Sequence, residues 1–421
     1  MKRRYSFPAH LAGLPAYLAR LPAHLAGLPA HLAGAAVART GDEMAGPALM
    51  LAGLALTGST ADASLLLAGV TVSAVLGGPV LGSFLDRAAR PGRLLAAALA
   101  LYAAGLTAVL MGLGRLPFAL TLAAAVLTGL LGPALSGGWT AQLPAVVRGD
   151  RLDRANALDA MTFGAAGLAG PALAGGAAEA LGAPAAVVVS AVLVALALPA
   201  AWALPARTGP VRGNPAPRGP TASPVADLVA GIRAVAGRPA LARATLTSVL
   251  SCTAQGMLTA CLALLGERVL GGAGRGAMLL SCTAASALAA DAVLARFPRT
   301  IAPDTILWAG ALVQAVLPAA ALLGHPGVLV AAVLVAGIGE GPQLVALFAV
   351  RHREAPDRLR SQIFTTGAGL KITGFALGAA VAGPVAARSL SGALLLAAGT
   401  AVLAALAFFA VPAPGDRAVP A

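Results

Sequence analysis

Seven side chains in this 421-residue sequence bring charge or hydrogen-bonding power into runs that are otherwise almost wholly apolar: Arg39, Asp42, Glu43, Gln255, Gln314, Glu340 and Lys371. A charge left facing lipid at the middle of a helix costs about 2.5–3.5 kcal/mol, so the first three together would cost on the order of 8–10 kcal/mol. They must pair, lose charge or face water. Arg39 stands three and four residues before the two acids, a spacing at which helical side chains meet, so a structural ion pair within one helix is one outcome. In the other outcome Asp42 or Glu43 faces a water-filled cavity and takes up a proton. Glu340 and Lys371 each lie about ten residues from an end of their runs, roughly 15 Å deep at 1.5 Å per residue. Asp42 has a similar depth. Glu340 and Lys371 therefore either bridge to each other or join Asp42 in one cavity layer, and Gln255 and Gln314 bond a ligand or a neighbouring helix.

Catalysis finds no such footing. The sequence has no HExxH metal motif, no phosphate loop ending in GK[ST] and no GxSxG elbow. GIGEG at Gly337 sits in an apolar run with no strand before it. Cys252, Cys261 and Cys282 all fall in apolar runs and suit packing better than a disulfide or a metal site. An enzyme is not expected, nor a catalytic residue, a metal or a cofactor.

The elements that hold these groups follow from composition. At 58% hydrophobic and 11% charged, the chain has too few polar side chains to cover a soluble fold of its size. Lipid is the solvent that fits. Helix-length apolar runs recur at about 32–56, 63–85, 94–113, 116–137, 156–178, 184–204, 240–265, 276–296, 303–323, 327–350, 361–387 and 391–411, giving twelve expected spans. Strand alternation is absent, which predicts an all-α membrane protein rather than a barrel.

A net charge of +13 could point to nucleic acid, so the placement of the basic residues decides the matter. With the N-terminus inside, 23 of the 29 fall in cytoplasmic segments, and only Arg115, Arg268, Arg275 and Arg388 fall outside. This is the positive-inside asymmetry; it predicts cytoplasmic termini and makes a nucleic-acid partner unnecessary. Only two of the basic residues are Lys, and Ala and Gly abound. That bias suits a GC-rich bacterial genome and hence a bacterial cytoplasmic membrane.

Along the chain, residues 1–31 form a low-complexity extension in which PAHLAGL or a close variant begins at Pro8, Pro15, Pro22 and Pro29. The period would put His10, His24 and His31 on one side of a helix, as in a metal-binding tail. Proline at every seventh position opposes a regular helix, so a poorly ordered cytoplasmic extension is expected. Residues 32–204 then read as one six-helix bundle, 205–239 as a Pro/Gly-rich cytoplasmic linker with a short amphipathic helix, 240–411 as a second bundle and 412–421 as a tail. Half repeats agree: GDRLDRANALDAMTFGAAGLAGPALAGG after the fourth span is similar to APDRLRSQIFTTGAGLKITGFALGAAVAGP after the tenth. Two six-helix halves with a site between them is a recurring transporter plan.

The most specific local signal is GSFLDRAARPGR, from Gly82 to Arg93, at the turn between the second and third spans. It resembles the GxxxDRxGRR signature of the major facilitator superfamily, keeping Gly82, Asp86, Arg87, Arg90 and Arg93, while Ala88, Ala89 and Pro91 alter the spacing. The resemblance implies two six-helix bundles rocking about a central cavity. It also implies that Asp86 meets the start of the eleventh span near Ser361 and Gln362 as part of a gate, and a helix N-terminus does favour a carboxylate. RTGDEMAGPALMLAGLALTGS, from Arg39, resembles the first helix of efflux-type members. GLAGPALAGG, with Gly167, Gly170, Pro171, Gly175 and Gly176, is close to the Gly-Pro signature on helix five of antiporters, where small residues serve close packing. Gly78 with Gly82, and Gly374 with Gly378, are expected to face one another across the two halves. The second half carries no clean copy of the loop signature; Asp291 is its nearest acid.

These readings converge on a secondary transporter that exports a hydrophobic or amphiphilic molecule against protons, with lipid around it and a monomer sufficient. Uptake of a metabolite through the same fold is the alternative. A membrane protein without transport is the third, disfavoured by the half repeat.

Overall fold

The computed structural model describes residues 27–147, 149–206, 224–271, 273–297 and 301–411. The first two PAHLAGL-type repeats, most of the third and the tail therefore lie outside the described residues, as do residues 207–223 of the linker. Among the described residues there are helices and no strands. The helices are α1 (Leu28–Thr57), α2 (in two pieces, Thr60–Val72 and Ala74–Arg87), α3 (Pro91–Gly112), α4 (Phe118–Val146), α5 (Leu152–Leu181) and α6 (Ala183–Trp202), then the short α7 (Pro224–Gly237). They continue with α8 (Pro239–Leu270), α9 (Ala273–Arg296), α10 (Pro303–Ala321), α11 (Pro326–Glu354), α12 (Arg360–Arg388) and α13 (Leu390–Ala410).

Eleven of these are long and apolar enough to cross a membrane. The long helix outside that set is α1, whose hydropathy is lowered by Arg39, Asp42 and Glu43. Its first turn is the last copy of the repeat, so α1 begins at Leu28 rather than near residue 32, and His31 packs inside it against the ring of Trp139.

Local sequence explains the breaks. Proline opens α3, α8, α10 and α11, where a missing N–H is harmless. Left-handed glycines, Gly58 and Gly271, close α1 and α8. Proline also occurs within helices at Pro47, Pro79, Pro171 and Pro342, as packed membrane helices allow.

One apolar core joins α1 to α6 and a second joins α8 to α13. Backbones approach closely where glycine permits it: a Cβ on Gly77 would lie 1.9 Å from the carbonyl oxygen of Leu130, and one on Gly129 would lie 2.0 Å from that of Val70. A third cluster belongs to both halves, with Ala141, Ala157 and Ala160 from the first and Val345, Phe348 and Phe364 from the second.

The halves meet chiefly through α2 against α12 and α5 against α9. Gly78 and Gly82 do face α12, where their Cβ atoms would meet the Thr365 carbonyl and the Gln362 backbone, each at 2.4 Å. Gly374 and Gly378 do not return the contact. They face α8, against Val249 and Thr253. The α12 residues that touch α2 are Gln362, Thr365 and Gly369, and five further residues turn the helix on by roughly 140°, which carries Gly374 to its other side.

Candidate functional site

The cleft between the halves is closed at the arginine-rich end. The Asp86 carboxylate accepts the backbone N–H groups of Ser361 at 2.8 Å and Gln362 at 2.9 Å, the two residues that the signature implied. These are the free amides at the start of α12, so charge, dipole and hydrogen bonds act together. Gln142 adds a 3.3 Å bond to Ser361, and the Thr365 hydroxyl donates to the Gly78 carbonyl at 2.6 Å. Of the arginines in the turn, Arg93 stacks over Trp202 at 5.0 Å, while Arg90 forms the N-cap of α3.

Deeper in the cleft the seal is aromatic. Phe163 of α5 lies 5.6 Å from Phe348 of α11, which lies 5.9 Å from Phe364 of α12, and His352 packs 4.5 Å from Phe364. A π-helical turn at Ala134–Gly138 lets α4 approach α12, where Gly137 faces the Phe364 carbonyl. Beyond the seal, Gly167, Gly175 and Gly176 of α5 have no atom within 4 Å of a Cβ position, and Gly170 alone of the signature glycines packs closely, against Glu43. Of the four glycines expected to serve close packing, Gly170 does so and the other three do not. In this arrangement Gly167, Gly175 and Gly176 border open space.

Arg39 pairs with neither acid of its own helix. It forms a 2.9 Å ion pair with Asp159 of α5 and bonds Thr140 at 2.9 Å, Thr162 and the Ser136 carbonyl, and it stacks 3.7 Å over Phe163. Both ions are buried, at 2% and 0% exposure, and Thr140 also donates to Asp159 at 2.7 Å. Sequence reasoning missed Asp159 because its partner lies four helices away. The available signal was an unmatched acid within the fifth span.

With Arg39 engaged elsewhere, the two acids of α1 divide. Asp42 turns inward and accepts the Tyr102 hydroxyl of α3 at 2.6 Å. Glu43 is exposed, and among the described residues it has no hydrogen bond or ion pair. Its direction follows from its neighbours on α1: Gly46 meets Leu67 of α2, the Glu43 backbone meets Gly170 of α5, and Gly41 and Asp42 meet α6 and α3. Since α2 and α5 are the helices that pair with the second half, the exposed strip between them, which carries Glu43, Met50 and Leu54, faces the cleft.

The second half answers with amides. Gln255 of α8 donates to Gln314 of α10 at 2.9 Å, and Gln314 donates to Gln343 of α11 at 2.9 Å. Gln343, absent from the sequence candidates, donates in turn to Ser251 and to the Leu307 carbonyl. It lies one helical turn beyond Glu340, a spacing that could have marked it. Gln255, Gln314 and Glu340 border a cavity of about 120 Å³ whose other walls include Leu258, Leu279 and Phe375.

Glu340 and Lys371 form no ion pair, contrary to the bridge considered from sequence. Helix α12 packs chiefly on α8 and α2 and only slightly on α11, so α8 intervenes. Asp291 of α9 is buried to 2% exposure, its carboxylate lies against Gly341 and its Oδ1 has no partner. The three cysteines are free thiols. Among the described residues, no group of His, Cys, Asp and Glu could hold a metal ion.

Residues 32–368 match the sequence profile of the Major Facilitator Superfamily. An uncharacterized MFS-type transporter from Sinorhizobium fredii is 38% identical over 95 residues, 23% of each chain, so the match spans about a quarter of that relative. The fold is similar to that of the human organic anion transporter TETRAN, at TM-score 0.72, 16% identity, 92% of this chain and 100% of that one. It is equally similar to a bacterial homologue of the iron transporter ferroportin in its outward-facing state, at TM-score 0.72, 16% identity, 91% of this chain and 98% of that one. The E. coli fucose:proton symporter follows at TM-score 0.64, 15% identity and coverage of 91% and 98%.

Proposed function

Because the chain belongs to the major facilitator superfamily, we propose that it exports a hydrophobic or amphiphilic small molecule across the bacterial cytoplasmic membrane in exchange for protons, by alternating access. The observation that carries this reading is Glu43, a carboxylate with no hydrogen bond or ion pair among the described residues, on the strip of α1 that faces the cleft. A carboxylate there can hold a proton in one state of the cycle and release it in the other. With about 100 mV across the membrane, one proton supplies roughly 2.3 kcal/mol, enough for a substantial gradient of an uncharged substrate. Asp42, one residue away and bonded to Tyr102, is the second coupling group.

The arginine-rich face is cytoplasmic in this scheme, so the contacts of Asp86 with Ser361 and Gln362 form the closed inner gate and the cleft opens outward. Leucines and Phe375 in the cavity of the second half suit an apolar ligand, and Gln255, Gln314 and Glu340 suit its polar end. Lys371 sets a positive charge nearby.

The test is reconstitution into liposomes. Asp42→Asn and Glu43→Gln variants are expected to lose substrate-driven proton movement while still binding substrate; unchanged coupling in both would overturn the carboxylate assignment. Direction is read separately. Cells expressing the chain are expected to accumulate less of a fluorescent hydrophobic dye, and greater accumulation would favour uptake.

A further inference from the structure

Helix α7 lies across the arginine-rich end and packs on α2, α8 and α12, so it touches both halves at once. Its buried Gly231 rests on the Gln362 side chain, where an added Cβ would come within 2.2 Å. Gln362 is one of the two residues whose backbone N–H bonds to Asp86. The short helix is thus seated on the closed gate itself.

On its other side α7 borders a groove of about 410 Å³, whose second wall is the turn between α11 and α12. Three guanidinium groups line it, from Arg233, Arg238 and Arg358, over an apolar floor that includes Ala234 and Leu359. All three arginines are exposed, and Arg238 is oriented by a bond to the Glu354 carbonyl. No acidic side chain lines the groove among the described residues. Of the described acids on the adjoining turn, Asp357 pairs with Arg360 and Glu354 with Arg353. Ile232, 53% exposed beside Arg233, gives α7 an apolar contact of the kind that seats an amphipathic helix at the lipid boundary.

Three arginines beside the ends of α8, α11 and α12, with no acidic side chain in the groove among the described residues, match a phosphodiester in geometry and charge. Aliphatic side chains on the floor match the glycerol portion that follows. A soluble anion would use the arginines but not the neighbouring apolar surface. We propose that this groove binds the headgroup of an anionic phospholipid and that the bound lipid clamps the gate, because it draws α7 and the α11–α12 turn together while α7 holds Gln362 in place. The proposal goes beyond the transport reading and does not depend on the substrate or on the coupling carboxylates.

The full chain in nanodiscs tests it. Native mass spectrometry is expected to show preferential retention of phosphatidylglycerol over phosphatidylcholine, reduced on the order of thirtyfold in the Arg233→Gln/Arg358→Gln double variant, since each surface cation contributes comparably to lipid attraction. The Arg233→Lys/Arg358→Lys variant is expected to keep part of the preference, and Arg115→Gln on the opposite face all of it. Spin labels at positions 90 and 353 are expected to report a larger closed population in phosphatidylglycerol than in phosphatidylcholine, with the difference lost in the double glutamine variant. Undiminished retention by the double glutamine variant would overturn the site. So would equal loss in the lysine variant, or equal stabilisation by millimolar inorganic phosphate without anionic lipid. A label distance indifferent to lipid would overturn the clamp.

Discussion

The first half buries its charges in pairs, and the second half leaves its charges single and binds its amides into a chain. In the first, Arg39 and Asp159 satisfy one another within a shell of hydroxyls, and Asp42 has Tyr102. In the second, Asp291 has an oxygen without a partner and no ion pair joins Glu340 to Lys371, while Gln255, Gln314 and Gln343 link three helices. Paired charges resist rearrangement because separating them strands both ions. Amides can exchange partners at lower cost. The contrast assigns rigid framework to the first bundle, with Glu43 unpaired among the described residues, and adaptable wall to the second.

The largest effect should come from breaking the pair. Arg39→Ala would leave Asp159 buried without its counter-ion and should cost about 3–5 kcal/mol of stability, read as a lower unfolding temperature in detergent. Asp291→Asn, by contrast, removes a charge that has no partner and should leave stability unchanged or higher. Equal losses from the two would erase the distinction between the halves.

A smaller effect is expected at the gate. Gly82→Ala forces a Cβ against the Gln362 backbone, so the closed arrangement should lose about 1–3 kcal/mol, seen as faster alkylation of cysteines placed behind the seal. Gly175→Ala, in open space, should change nothing in that assay. Next in size, Gln314→Leu interrupts the amide chain and strands Gln255 and Gln343, at about 1–2 kcal/mol; melting curves with and without substrate would separate this from a loss of binding. The smallest effect belongs to the surface. Arg353 pairs with Asp304 and Glu354 in solvent, and Arg353→Ala should shift stability by less than about 1 kcal/mol.

Much of this architecture was legible in the sequence, for identifiable reasons. Spans announce themselves because lipid demands continuous apolar helices, and the Gly82–Arg93 turn carries enough fixed residues to indicate where Asp86 goes. Partner choice was not legible. Local spacing offered Arg39 the acids at 42 and 43, and only the packing of α1 against α5 shows that Asp159 is nearer in space. The same reason hid Tyr102 and Gln343 and made Glu340 and Lys371 look adjacent, since succession in the chain says nothing about α8 lying between them. Gly374 and Gly378 formed the right motif on the wrong side of α12.

The seal at the arginine-rich end is made of hydrocarbon. Phe163, Phe348 and Phe364 close the cleft by contact between rings, and parting them exposes hydrocarbon to water. Such exposure carries a positive heat-capacity change, so the balance between the two facing states should follow a curve with temperature rather than a straight line. Chilling weakens ring-to-ring closure as apolar hydration becomes less unfavourable, and the protein in a cold membrane should spend more of its time with the rings parted.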